Sequence, residues 1–334
     1  MNKFLIESKE DLEILIINTA TKMGISQAVV EKDYWVCVVL DYLFNESKWK
    51  DAFTFKGGTS LSKCFRLIER FSEDIDLILD WRVLGYEKNE PWDKRSNTQQ
   101  DKFNKEVNQK TEDFLQNQLM KDMERDFREK LHLSFEFFIN EQEPQSIQFE
   151  YPKIFPSPYL TQNIKLEIGS LAAWTPAMEV EIEPYIGEYY PNVFKEKTKI
   201  RTVSPQRTFW EKATILHQEA NRSENKRMPR RYARHYYDLY KIANSEVKIF
   251  ALKDKDLLEQ VTKFKMKFYP CNWAKYEDVL NGNLKLIPDQ YRFDEIQKDY
   301  EDMREMIYGE YPDFEELMKN IKEIEKELAS KLNN

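Results

Sequence analysis

The chain has 334 residues, which is long enough for one large domain or two moderate ones. Aromatic residues make up 14% of it and there are only 8 glycines, a composition that suits compact folding and excludes a largely disordered or collagen-like chain. The net charge of -8 excludes a protein that is basic over its whole surface, although a local basic groove could still attract nucleic acid.

The cysteines and the apolar runs predict a cytoplasmic protein. Cys37, Cys64 and Cys271 are widely separated and lack the spacing of metal ligands, so we expect buried, reduced thiols. The N-terminal residues contain no apolar segment typical of a signal peptide, and no apolar run is long enough to span a bilayer. We therefore expect a cytoplasmic location and no membrane partner.

The first 48 residues predict a helical lead-in. Ser8 is a candidate N-cap followed by acidic residues that suit the positive end of a helix dipole, and a second helix is expected from about Gln27 to Phe44. The segment DAFTFKGGTSLSKCF (51–65) then predicts a strand, a glycine turn and a helix. SEDIDLILD (72–80), in which polar and apolar residues alternate from Asp74 to Leu77, predicts a strand.

The segment of about 90–130 is polar and helical in character, and it predicts a long surface helix or an insertion with few apolar anchors. Period-two alternation then predicts three or more strands in LHLSFEFFI (131–139), SIQFEY (146–151), NIKLEIG (163–169) and AMEVEIEPYI (177–186).

The remainder of the chain is predicted to be helical. Pro205 suits the first turn of a helix that contains RTFWEKATILHQ (207–218), and a second helix is expected over RRYARHYYDLYKIA (230–243). The last segment is the amphipathic FEELMKNIKEIEKELASKL (314–332), most simply packed against the body of the protein. We therefore predict an α+β domain over 1–203 and a helical C-terminal domain over 204–334, without an internal repeat.

The glycine turn is the first candidate functional element. Adjacent Gly57 and Gly58 allow positive φ and close approach of a ligand, and the backbone N–H groups of the turn favour phosphate oxygens. Ser60 adds a hydroxyl donor for the same anion. Such a turn alone more often serves only to connect a strand to a helix, and it lacks the Walker lysine spacing and the dinucleotide glycine pattern.

The second element is the pair Asp74 and Asp76. One residue separates them in the predicted strand, so both carboxylates should project from one face, where a divalent cation would relieve their repulsion. Mg²⁺ prefers such oxygen ligands and retains waters that a triphosphate can replace. The alternative is a solvated strand face with Asp80 in line. A phosphate-binding turn, one helix and an Asp-x-Asp strand together favour a nucleotide held over two metal ions.

Five segments carry a resemblance to a known family. KGGTSLSK (56–63) and ERFSEDIDL (69–77), together with VEKDYWV (30–36), RTFWEKATILH (207–217) and RHYYDLYKI (234–242), resemble the AbiEii/AbiGii family of toxin nucleotidyltransferases, within the polymerase-β-like superfamily. The resemblance runs from about 25 to 245, and the long polar insert has no counterpart in it.

The resemblance implies a nucleotidyltransferase fold, with a mixed sheet flanked by helices, and transfer of a nucleoside monophosphate from an NTP to an acceptor hydroxyl. It further implies Mg²⁺ or Mn²⁺, a tRNA acceptor, an antitoxin partner and a place in a toxin–antitoxin or phage-defence system. The implied nucleotide-binding residues are Gly57, Gly58, Thr59, Ser60 and Lys212. The implied catalytic residues are Asp74, Asp76, Lys212 and Asp238, with Asp74 and Asp76 as metal ligands and Asp238 either orienting the acceptor or acting as base.

Several of these assignments have simpler alternatives. Glu167 is our choice for a third metal ligand because Leu166 and Ile168 would face the core, whereas Glu179, Glu181 and Glu183 suit a solvated strand face. Lys212 could be an ordinary surface lysine, and Asp238 could form a structural ion pair with Arg234, its i−4 neighbour.

The segment from Lys195 to Arg234 is the most basic part of the chain and could contact the phosphates of an acceptor, although a solvated charged face is nearly as good an explanation. His132, His217 and His235 are too scattered for a metal site, and His217 and His235 are expected to serve structure. Two rival functions stay open: transfer of a nucleotide or phosphoryl group to protein or a small molecule, and a non-catalytic nucleotide- or RNA-binding module.

Overall fold

The structure is a computed structural model that describes residues 3–6, 8–72, 74–131, 134–157 and 160–332. Glu73 in one predicted strand, and His132 with residue 133 in another, lie outside the described residues. The chain forms two compact units, Met1–Cys64 with Ser72–Val203 and Phe65–Phe71 with Ser204–Asn334.

The predicted domain division placed the short segment Phe65–Phe71 in the N-terminal domain, whereas in the structure this segment belongs to the second unit. Its backbone pairs with a later loop of the second unit: Phe71 N–H donates to the carbonyl of Met306 at 2.7 Å, and Tyr308 N–H donates to the carbonyl of Glu69 at 3.0 Å. These hydrogen bonds, between residues far apart in the chain, explain why the segment belongs to the second unit.

The first unit contains a mixed sheet, which confirms the predicted α+β class. In the described part of the chain it has seven strands in the order β3-β4-β5-β2-β1-β7-β6. The strands are β1 Phe53–Lys56, β2 Ile75–Leu79, β3 Glu136–Ile139, β4 Ser146–Glu150, β5 Ile164–Gly169, β6 Ala177–Ile182 and β7 Thr198–Val203. β1 runs antiparallel to β2 and parallel to β7, and β2 runs parallel to β5.

The strand β7 was not predicted from the sequence. Its residues were assigned only to the basic segment, because Lys199 and Arg201 dominate its composition. In the structure these two face outward, while Thr198, Ile200 and Thr202 are buried, so the segment alternates as a strand does.

The helices of the first unit surround this sheet and are α1 Lys9–Met23, α2 Gln27–Asp41, α3 Gly57–Lys63, α4 Asn97–Phe114, α5 Met120–Lys130 and α6 Tyr185–Tyr189. The predicted cap of α1 is confirmed, since the Ser8 hydroxyl accepts a hydrogen bond from Asp11 N–H at 3.1 Å. A π-helical turn, Leu115–Leu119, joins α4 to α5.

The helices α4 and α5 correct one prediction. The polar segment was expected to have few apolar anchors, but Phe114, Leu115, Leu119, Met123 and Phe127 from this region are all buried in the core of the first unit. Apolar residues spaced by about one helical turn therefore bury one face of an otherwise polar segment.

The second unit is helical in its described residues after Ser204. Its helices are α7 Pro205–Ala220, α8 Ala233–Ala243, α9 Glu246–Lys253, α10 Lys255–Phe268, α11 Tyr276–Leu280, α12 Phe293–Asp302 and α13 Phe314–Leu332. Pro205 occupies the first turn of α7 as predicted, and the Ser204 hydroxyl caps it by accepting from Arg207 N–H. α13 packs against α8 through its apolar face. No helix in the described residues is long and apolar enough to cross a membrane.

Candidate active site

The glycine turn lies directly against one of the predicted acids. β1 ends at Lys56, and α3 begins at Gly57, which has a φ of +83°. The antiparallel register places Asp76 opposite Lys56. A Cβ atom added to Gly57 would lie 1.9 Å from the Asp76 Oδ2 atom, so only glycine leaves room for this carboxylate. The structure thus places the predicted glycine turn and Asp76 of the predicted acidic strand side by side.

The hydroxyls next to the turn face the protein. Thr59 Oγ1 donates to the Asp74 carbonyl at 2.5 Å, and Ser60 Oγ donates to the Gly57 carbonyl at 2.9 Å. Both side chains are buried, as is Gly58. In this structure Thr59 ties the start of α3 to the backbone before β2, and Ser60 closes the turn. Phosphate contacts by Gly58, Thr59 and Ser60 stay predictions.

The two aspartates differ in their backbone setting. Asp76 lies within β2 between the buried residues Ile75 and Leu77, whereas Asp74 lies one residue before the strand begins. Both aspartates are half-buried. Burial alternates only at the start of β2, since Ile78 and Leu79 are buried as well, and this leaves Asp76 partly accessible beside Gly57.

Glu167 is the neighbour of Asp76 on the adjacent strand. The parallel register of β2 and β5 pairs the two residues, and paired positions project from the same face of a sheet. The carboxylate of Glu167 forms an ion pair with Lys165 Nζ at 2.7 Å and is 46% exposed. The described residues contain no group of three His, Cys, Asp or Glu side chains gathered to hold a metal ion. Glu167 as a third ligand is therefore still a prediction.

Carboxylate oxygens are the ligands that Mg²⁺ prefers, and Asp76 holds such oxygens against a turn that admits no side chain, with Asp74 two residues before it in the chain. The donor set fits a divalent cation whose remaining positions are filled by water or phosphate. Glu179 and Glu181, by contrast, lie on the exposed face of β6, which confirms the alternative weighed for them.

The other two predicted site residues meet in the second unit. Asp238 of α8 is fully buried, and its carboxylate lies 2.7 Å from Lys212 Nζ of α7. Arg70 binds the same carboxylate in a bidentate manner, with Nε at 2.7 Å and Nη2 at 2.9 Å. Lys212 Nζ also lies 3.0 Å from His235 Nδ1. We call these four residues the buried charge cluster.

The partners of Asp238 differ from the simple alternative, because Arg70 and Lys212, rather than Arg234, hold its carboxylate. Lys212 is also not the solvated surface lysine of the alternative reading, since its side chain is only 9% exposed. Arg70 was not among the predicted site residues, although it lies in the ERFSEDIDL segment, four residues before Asp74.

Two neighbouring cations keep Asp238 ionised in the buried charge cluster. Burial disfavours its charged form, but Arg70 and Lys212 outweigh burial and hold the pKa of the Asp238 carboxyl well below its usual range. A carboxylate with such a low pKa is a weak proton acceptor. Burial lowers the pKa of Lys212, with Asp238 opposing that shift, and burial together with Lys212 holds the pKa of His235 well below its usual range.

The basic segment from Lys195 to Arg234 does not act as one element. It is divided between the two units at Ser204, and several of its arginines have structural partners. Arg201 donates to the carbonyl of Phe53, and Arg222 pairs with Glu219 at 2.6 Å. The exposed cations of its second part are Lys226, Arg227, Arg230 and Arg231. His217 serves structure as expected, since its ring contacts the Lys275 carbonyl and accepts from Lys285 N–H.

The fold and the site together define a class of protein: a mixed-sheet α+β protein with an acidic strand beside a glycine turn. Residues 39–320 match the family model described as Nucleotidyl transferase AbiEii toxin, Type IV TA system. The match covers most of the chain, so the protein belongs to the AbiEii family of nucleotidyltransferase toxins, and the resemblance carried by the motifs is confirmed. Membership implies a nucleoside triphosphate substrate and an antitoxin partner.

A comparison with solved structures found similarity to MenT4, a nucleotidyltransferase toxin from Mycobacterium tuberculosis H37Rv. The TM-score is 0.44 and the sequence identity 14%, over 95% of this chain and 97% of that chain. A comparison with curated protein sequences gave no match.

Proposed function

We propose that this toxin transfers a nucleoside monophosphate from an NTP to a hydroxyl of RNA, most specifically tRNA, in a reaction that requires Mg²⁺ or Mn²⁺. The observation that carries the proposal is the contact between Asp76 and Gly57: a partly accessible carboxylate is held against a turn that leaves no space for a side chain. We place the reaction in the cytoplasm, where both substrates are found.

The first unit supplies the acidic residues. Asp74 and Asp76, with Glu167 as a third candidate, would hold the divalent cation. When bound, that cation would offset the charge of the triphosphate and favour departure of pyrophosphate. The protein's own contribution is the fixed position of the Asp76 carboxylate against the backbone of Gly57, which would place a cation bound by Asp76 beside the turn.

The second unit supplies a buried ammonium group. Lys212 directs Nζ toward Asp238 and His235, and an ammonium has three N–H donors. Asp238 and His235 lie within reach of two of these donors, and we propose that the third binds a phosphate oxygen. Asp238 would keep Lys212 charged and oriented, which is the role that its low pKa favours over that of a base.

The experiment is to incubate the purified protein with each α-labelled NTP, total tRNA and Mg²⁺ or Mn²⁺, and to identify what becomes labelled. Label in tRNA supports the proposal. Label in protein or in a small molecule would mean that this molecule, and not tRNA, is the acceptor. NTP binding without turnover would support a non-catalytic module instead.

Matched variants test the metal role. Asp76→Asn keeps the shape of the side chain but removes its charge, and should lower the transfer rate by about 10²–10³-fold. Asp74→Ala should abolish both transfer and growth inhibition in a protein that stays folded. Glu179→Gln removes an acid from an exposed strand face and is the control, which should retain full activity. Full activity of folded Asp74→Ala would reject the metal role.

A further inference from the structure

The segment VEKDYWV, from Val30 to Val36, is entirely buried although it contains three consecutive charged residues. It lies before residue 39, where the match to the family model begins. Burying three charges in a row is expensive unless each finds a partner. The partners of Glu31, Lys32 and Asp33 therefore indicate what the segment does.

Two of the three charges hold loops. Glu31 accepts hydrogen bonds from Ile154 N–H at 2.6 Å and from Phe155 N–H at 3.1 Å. Lys32 Nζ donates to the carbonyl of Thr161 at 2.6 Å. Successive residues of a helix point about 100° apart. These two side chains therefore fasten α2 to different parts of the connection between β4 and β5.

The third charge has a different partner. Asp33 Oδ1 lies 2.6 Å from the Nζ atom of Lys63, and both side chains are at most 5% exposed. Asp33 Oδ2 accepts from Tyr185 N–H at 2.7 Å, and the ring centroid of Tyr185 lies 4.0 Å from Lys63 Nζ. The Lys63 ammonium is thus held between a carboxylate and an aromatic face.

Lys63 is the last residue of α3, and Gly57 is the first. A helix of this length spans only about 9 Å, so its two ends cannot move independently. Fixing Lys63 to α2 and α6 fixes the direction of α3, and with it the position of Gly57 against the Asp76 carboxylate. Thr59, near the start of the same helix, is tied to the Asp74 carbonyl.

We propose that Asp33 is a positioning residue of the active site, which sets the Gly57 turn against Asp76 by holding Lys63 at the far end of α3. The expected effect on catalysis rests on the proposed function, whereas the effect of the Asp33–Lys63 ion pair on the position of α3 does not. The buried acid acts on nucleotide transfer through the helix and touches neither nucleotide nor metal.

The test compares two isosteric variants of neighbouring buried acids, Asp33→Asn and Glu31→Gln. Each removes one buried negative charge from the same segment of α2, but only Asp33 is linked to α3. We expect Asp33→Asn to lower kcat for nucleotide transfer at least about tenfold, and up to about 100-fold if Gly57 shifts by about 1 Å. Glu31→Gln should retain wild-type kcat at a similar loss of stability toward urea.

A second readout does not depend on activity. Hydrogen exchange at the amides of α3 should become at least about tenfold faster in Asp33→Asn and stay unchanged in Glu31→Gln. Lys63→Met should reproduce the Asp33→Asn effect, and the double variant should be no worse than the more severe single one, because one link is being cut.

The outcomes separate this inference from the proposed function. If the wild-type protein transfers no nucleotide, the proposed function fails. Hydrogen exchange at the amides of α3 still tests in that case whether Asp33 holds the helix in place. Equal exchange of α3 in Asp33→Asn and Glu31→Gln, or kcat losses that simply follow stability in both, would overturn the positioning role. Loss of kcat and of α3 protection confined to the Asp33 and Lys63 variants would establish it.

Discussion

Replacing Gly57 by alanine is the most direct test of the active-site geometry. A methyl group at this position would lie 1.9 Å from Asp76 Oδ2 and 2.7 Å from Asp76 Cγ, whereas ordinary contacts begin at 3.4 Å. The carboxylate would have to move by about 1.5 Å. Because misplacing a catalytic group by about 1 Å can cost about 100-fold in rate, we expect Gly57→Ala to lose at least about 100-fold in nucleotide transfer.

The same substitution also carries a backbone cost. Gly57 has a φ of +83°, and an alanine forced into a left-handed conformation costs about 1–2 kcal/mol. Gly85→Ala is a matched control, since Gly85 has a φ of +88° and nothing within 4 Å of an added Cβ atom. It should show the backbone cost alone and retain nucleotide transfer.

The assay is the initial rate of label transfer from NTP into tRNA, measured at saturating Mg²⁺ alongside urea unfolding of both variants. The difference between Gly57→Ala and Gly85→Ala isolates the collision with Asp76 from the backbone strain. Wild-type transfer by a folded Gly57→Ala protein would refute the reasoning, because it would mean that Asp76 need not occupy its observed position.

Three further outcomes are expected. Asp238→Asn should destabilise the protein by about 3–5 kcal/mol in urea, because Arg70 and Lys212 would be left with reduced charge compensation in a buried site. The pKa of Asp238 is lower in the folded protein than in the unfolded chain, where it is about 3.9. The ionised carboxylate therefore stabilises the fold fully above that unfolded pKa, and this stabilisation is lost as pH falls toward the folded pKa. The difference in unfolding free energy between wild type and Asp238→Asn should accordingly shrink by about 1 kcal/mol from about pH 5 to about pH 3. Glu167→Gln should raise the half-saturating Mg²⁺ concentration about tenfold or more, and an unchanged value would remove Glu167 from the ligand set.

Local patterns in the sequence were sufficient for most elements near the site. The Ser8 cap, the strand and turn that meet at Gly57, the strand of Asp76 and the helix opened by Pro205 all lie where they were predicted. Each of these depends on residues within a few positions of one another, and the chemistry of caps, turns and alternation is local. The ordered motifs likewise predicted the family that the match over residues 39–320 confirms.

Tertiary structure alone decided which distant groups meet. The partner of Asp238 proved to be Arg70, 168 residues away, rather than Arg234 one helical turn away. The charged outward residues of β7 obscured its strand pattern, and its parallel pairing with β1 is evident only in the structure. The partners of Glu31 and Asp33 likewise could not be predicted from the sequence. A sequence determines which residues are able to form an ion pair or to pair as strands, but many residues of suitable type and spacing are present. Burial selects among them, because only the correct partner offsets the cost of removing a charge from water.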